Sequence, residues 1–138
     1  MAGSALNALD ILAKAEPEWS AAWRHRLALK AASACMRLAG RGEDEAALRD
    51  AWLLRQHGDE PGPAGNVLAA WRRLASRLAP PGVEELRLVA ALFGVGWSDG
   101  LSDLIEVMRD EARSGAPAPA VAARTAAAVM RRDPKAEI

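Results

Sequence analysis

Between Gly65 and Pro80 the apolar side chains recur at one spacing, and that spacing belongs to an α-helix. At about 100° per residue, Val67, Leu68, Trp71, Leu74, Ala75 and Leu78 fall within a third of the circumference. The stretch is bounded by Asp59-Glu60-Pro61-Gly62-Pro63-Ala64-Gly65, dense enough in Pro and Gly to predict a defined turn, and by Pro80-Pro81-Gly82. A stripe this narrow must be buried against neighbours of the same kind. No segment shows sustained period-two alternation, and no Asn-Gly or Asp-Gly pair sits between β-branched runs. The sequence therefore predicts an all-α fold: a compact irregular bundle of about seven helices around a long central second helix.

The same punctuation divides the rest of the chain. Ser4 is placed to cap a first helix carrying Leu6, Leu9 and Leu12 on one side. Pro17 restarts the chain, since a first helical position loses nothing by lacking an N–H. The second helix is expected to run from there to Gly40, about 35 Å. Its Leu27, Ala31, Ala34 and Leu38 should bury one flank, and Ala22, Leu29 and Met36 the other. Glu43-Asp44-Glu45 put acidic groups where a helix dipole favours them, opening a third helix that carries Leu48, Ala51 and Trp52 inward and stops at His57-Gly58. A fifth helix starts at Val83 and passes into residues 88–95, apolar all round and so expected to be buried. Ser98–Ser114 and about Val121–Arg132 supply the sixth and seventh. Asp133-Pro134-Lys135-Ala136-Glu137 then has the form of an eighth helix start. A chain of 138 residues has the size of one domain, so residues 1–132 are expected to form one, with 133–138 a truncated or frayed tail.

Composition removes several classes of function. Hydrophobic residues at 51% and charged residues at 26% are too apolar a mix for disorder. Eighteen basic residues balance eighteen acidic ones, so no overall excess draws the chain to nucleic acid or an anionic membrane. Cys35 has no partner for a disulfide and is expected to fill the buried side of the second helix. His25 and His57 leave little for a metal centre, and no cofactor is expected. The N-terminal residues lack a secretory pattern and no run reaches the roughly 18 apolar residues of a membrane span, so a cytoplasmic protein without membrane contact is expected. There is no GxxxxGK[ST], HExxH, CxxC or GxSxG, and Gly94-Val95-Gly96-Trp97 lacks the spacing of a dinucleotide loop.

Two clusters of polar residues remain. On the second helix Trp19, Arg26, Lys30, Ser33 and Arg37 fall within a stripe of about 60°. An indole leading a basic ridge suits phosphate or single-stranded nucleic acid; equally, a helix packed on two sides shows water its long cationic chains. The second cluster is Arg49 and Asp50 with Arg55, His57, Asp59 and Glu60, gathered near the rigid turn. Arg55 falls in the third helix's apolar arc and must snorkel or find a carboxylate such as Asp59. His57 with Asp59 or Glu60 has the elements of a base and its orienter or of a weak metal site, but no nucleophile stands at a defined spacing, and His57 is equally placed to interact with the third helix's C-terminus. Arg72, Arg73 and Arg77 are expected to be solvated charge, and the five Trp to be core or interface anchors, with Trp19 and Trp97 partly exposed.

Three runs, Ala47-Leu48-Arg49-Asp50-Ala51, Gly58-Asp59-Glu60-Pro61-Gly62-Pro63-Ala64-Gly65 and Ala70-Trp71-Arg72-Arg73, resemble an uncharacterised bacterial family, the domain of unknown function 1403 family, often plasmid-encoded. Weaker similarity extends upstream through Arg26-Leu27-Ala28-Leu29 and downstream to Arg132-Asp133-Pro134. Members of that family continue past this point, so the resemblance implies a helical N-terminal portion of a longer protein. It carries no assigned activity and transfers no catalytic residue. The function expected is a helical protein–protein interaction or scaffold domain, pairing with itself or another protein. A nucleic-acid-associated subunit using the second-helix ridge is the alternative, and an enzyme acting through His57 the third.

Overall fold

The computed structural model describes residues 2–55, 58, 60–77, 81–117, 120–125 and 127. Among them are seven helices and no strand, and the chain is all-α. The helices are α1 (Ala2–Lys14), α2 (Ser20–Leu38), α3 (Glu45–Leu53), α4 (Gly62–Ala75), α5 (Val83–Leu92), α6 (Asp99–Arg113) and α7 (120–125). They gather into two compact units. One is contiguous, residues 18–97, with α2 to α5; the other joins residues 1–17 to 98–138, with α1, α6 and α7.

In the unit of residues 18–97, α4 packs against α2, α3 and α5, and α2 also packs against α3. The stripe expected of α4 explains this hub: Val67 and Leu68 are buried, Trp71, Leu74 and Ala75 half-buried, and Leu78 lies outside the described residues; Ala70, beside the stripe, is buried too. The core they share contains Ala32 and Met36 of α2 and Leu48 of α3, with Leu29, Cys35, Trp52, Ala64, Trp71 and Phe93 packed around it. Leu48 is the largest wholly enclosed side chain, a burial that stabilises by about 1.5–3 kcal/mol. Helix α4 starts where the Pro61 ring lies over Gly65, so close that a Cβ on Gly65 would sit 2.6 Å from that of Pro61.

The helix ends follow local chemistry. The Asp44 carboxylate accepts from the Ala47 N–H at 2.8 Å and caps α3. Gly40 ends α2 as the sequence predicts, at φ 70°, with its N–H donating to the Arg37 carbonyl and that of Arg41 to Met36. Gly94 closes α5 in the same way, onto Ala91, with Val95 reaching back to Ala90.

Several expectations are corrected. Helix α2 begins at Ser20, not Pro17, because the backbone turns through a positive φ at Glu16, and its 19 residues span about 28 Å. It is not buried on both flanks: Ala28, Ala32, Ser33 and Met36 form its buried face, whereas Leu27 is 45% and Leu38 80% exposed. Ser33 therefore belongs to the core side and leaves the basic stripe. Helix α3 stops at Leu53, and Ala51, Leu53 and Leu54 face water, so burial offers nothing to sustain another turn. On α5 only Val89 is buried, while Leu88 and Val95 are about half exposed.

In the other unit α1 starts at Ala2, ahead of Ser4, which is therefore not its cap. It leaves Leu9, Ile11 and Leu12 exposed, and Lys14 pairs with Asp10 at 2.7 Å one turn back. Helix α6 buries Ile105, and its Glu111 takes Arg124 of α7 at 2.6 Å. The expected continuation of α7 beyond 127 and the eighth helix at 133–138 fall outside the described residues.

Candidate anion-binding site

Three helices of the 18–97 unit each turn two or three side chains toward one groove, and the helical repeat chooses them. On α2 these are His25 and Leu29, four apart, with Arg26 beside them; on α3 Arg49, Trp52 and Leu53; on α4 Leu68 and Arg72. Together they line an open groove of about 190 Å³. Leu29, Leu68 and Trp52 belong to the core or lie against it, so the floor is fixed by the packing of the fold.

Among the described residues, the charged side chains that line this groove are basic ones. The Arg55 guanidinium carbon, just past the end of α3, lies 4.0 Å from the centroid of the Trp52 ring, and that of Arg72 lies 4.9 Å from it. Both distances are within the range of cation–π attraction, which orients two side chains that would otherwise sample many rotamers. Arg49 donates to the Asp50 carboxylate at 3.3 Å. Among the described residues, no carboxylate pairs with Arg26, Arg55 or Arg72. Elsewhere the same unit compensates its cations. Arg73 donates through Nε to Glu85, and Arg77 reaches the other oxygen of that carboxylate at 3.1 Å. Chiefly the Arg73 hydrogen bond holds the Glu85 carboxyl below its ordinary pKa. Arg41 is likewise taken up by Glu43, whose carboxyl the hydrogen bond from Arg41 also lowers.

Guanidinium groups present planar forks of donors that match the oxygens of a carboxylate or phosphate. The groove's volume of about 190 Å³ is below the roughly 300–1,000 Å³ of a site for a whole small molecule. It has the scale of one anionic group with a short stem.

Of the residues singled out from the sequence, Arg26 and Arg49 line the groove, with Asp50 bonded to Arg49. Arg55 has neither an apolar environment nor a carboxylate among the described residues; it is exposed and stacks on Trp52. Lys30 and Arg37 are exposed on α2 outside the groove. Trp19 precedes α2, is 49% exposed and meets Trp23 edge to face at 6.1 Å, apart from the groove. His57 and Asp59 lie outside the described residues. His25, Trp52 and Arg72 join the site although the sequence marked none of them for it. The signal available was the four-residue step from Leu68 to Arg72, which puts an arginine above a core leucine.

A larger cavity, about 500 Å³, lies among the ends of α2, α4 and α5 and is lined largely by apolar groups such as Met36, Val67, Leu92 and Phe93. At its wall the Cys35 thiol accepts the Trp71 indole N–H at 3.3 Å, and the thiol is half-buried among core side chains. Among the described residues, no three of His, Cys, Asp or Glu gather as metal ligands, and no helix is long and apolar enough to cross a membrane.

No curated protein and no solved structure matches the chain. A family model does, over residues 1–138 and so over every element from α1 to α7, and its description, Protein of unknown function (DUF1403), names the family to which this chain belongs.

Proposed function

We propose that the chain is a protein-interaction domain that grips its partner in the groove between α2, α3 and α4. The observation that carries this reading is the set of arginines around Trp52 that no carboxylate of the described residues neutralises. Trp and Arg dominate binding energy at protein interfaces because each brings contact area together with directional polar groups. Here both stand over an apolar floor of Leu29 and Leu68, with the exposed Leu53 beside it. A partner segment carrying an acidic side chain beside an apolar one is complementary to that arrangement. The anion meets the guanidinium forks, and the apolar neighbour covers the leucines.

A selection from random displayed peptides tests the reading, using the intact chain as bait and its Arg49→Glu, Arg72→Glu double variant for counter-selection. Peptides that combine Asp or Glu with an apolar residue, and that bind the parent alone, are the expected yield. Selected peptides without acidic residues, or with equal affinity for the double variant, reject it.

A second reading, binding of single-stranded nucleic acid, draws on Arg26, Lys30 and Arg37, all exposed along about 16 Å of α2. Two features weigh against it. The chain's formal charge is zero, and the Trp52 ring already carries two guanidiniums where a base would stack. A salt-sensitive mobility shift with oligothymidylate, lost in the Arg26→Glu, Lys30→Glu double variant, would reverse that order.

A further inference from the structure

We infer that the group the groove is built to hold is a phosphate monoester on a side chain of the partner protein. The inference rests on the reading of the groove as the partner-binding face and names the chemistry that face selects.

Charge stoichiometry is the first argument. Arg26, Arg49, Arg55 and Arg72 are always cationic, His25 adds an imidazole, and Asp50 beside Arg49 is the carboxylate bonded among them. A partner carboxylate brings one negative charge and two oxygens, which a single guanidinium fork satisfies. With Asp50 already on Arg49, it would leave two of the four arginines uncompensated. A phosphate monoester brings about −1.5 to −2 at neutral pH and three terminal oxygens, each able to accept from a different fork. The arginines also come from three helices: α2 supplies Arg26, α3 Arg49 and α4 Arg72, and Arg55, just past α3, lies on Trp52. A tetrahedral group uses donors arriving around it, whereas a planar carboxylate uses donors in its own plane.

Volume and preorganisation agree with this. The groove's volume of about 190 Å³ gives room for a phosphate and its stem. Trp52 holds Arg55 and Arg72 over its ring before any ligand arrives, so less side-chain entropy is lost on binding.

Calorimetric titration of the intact chain tests the inference with three probes: N-acetyl-O-phosphoserine amide, N-acetyl-aspartate amide and oligothymidylate. The phosphoserine probe should bind at least about tenfold more tightly than the aspartate probe. That advantage should vanish in Arg72→Gln and in Arg49→Gln, and fall only in part in Arg72→Lys, which keeps the charge and loses the fork. Circular dichroism of each variant, unchanged from the parent, confirms that the fold is retained. Equal affinity for the phosphoserine and aspartate probes overturns the phosphate assignment and leaves the groove as a site for acidic partners. Tighter binding of oligothymidylate than of either small probe, or no binding of any probe, overturns the assignment together with the interaction reading. Phosphoserine binding that survives both glutamine substitutions places it elsewhere and also overturns the assignment.

Discussion

Trp52 does two jobs: its side chain packs against the core, and its ring carries Arg55 and Arg72. At a site open to water each such contact contributes about 0.5–1 kcal/mol, which matters little to stability and much to where two guanidiniums wait. Trp52→Leu keeps apolar bulk against the core and removes the π-face. The expected outcome is a folded protein whose affinity for the selected acidic peptides falls about three- to tenfold, read by calorimetric titration; undiminished affinity would show that Trp52 does not position the arginines. The sequence brought Arg26, Arg49 and Arg55 forward because each stands in a conspicuously charged segment. It read Arg72 as solvated charge and Trp52 as an anchor because nothing local distinguishes them. What joins these residues is the convergence of three helices, a tertiary fact that a period along one helix does not contain.

At the scale of elements, the clearest prediction concerns the joint between α4 and α5. Glu85, in the first turn of α5, has a side chain only 13% exposed and receives Arg73 and Arg77 from the end of α4. Its carboxyl titrates lower in the fold than the ordinary value of about 4.3, mainly because Arg73 donates to the charged form. The sign follows from linkage. A group whose pKa is lowered by folding stabilises the fold above its unfolded pKa, and that contribution disappears as pH falls through the folded one. The parent should therefore unfold at higher denaturant concentration than Glu85→Gln at neutral pH. The gap should close as pH is taken down below the ordinary carboxylate range; a gap unchanged down to there would exclude the ion pair as its source. The elements themselves were largely legible. Pro and Gly mark the turns around α4, and Gly40 ends α2 where its position announces it. The misjudged ends share one cause. Ala51, Leu88 and Val95 look like core in a one-dimensional reading, yet each is exposed, because a helix buries only the side that a neighbour reaches.

For the molecule as a whole, the open question of organisation has a direct optical test. The contiguous unit holds nearly all the buried apolar side chains of the described residues, from Ala28 to Val89, whereas Ile105 is the buried hydrophobic of the other. That second unit is assembled from stretches of 17 and 41 residues. Units below roughly 70–80 residues rarely gain enough from one small core to outweigh the entropy of ordering the chain. We propose on this ground that residues 1–132 fold as one cooperative domain. All five Trp, at 19, 23, 52, 71 and 97, lie in the contiguous unit, so indole emission reports its unfolding alone. Far-UV circular dichroism sums over the helices of both units. A cooperative domain gives coincident denaturant midpoints by the two probes, and its calorimetric and van't Hoff enthalpies agree. If instead the dichroism falls in two steps, with emission following only one of them, the chain is two folding units, and the groove then belongs to the one that carries Trp52.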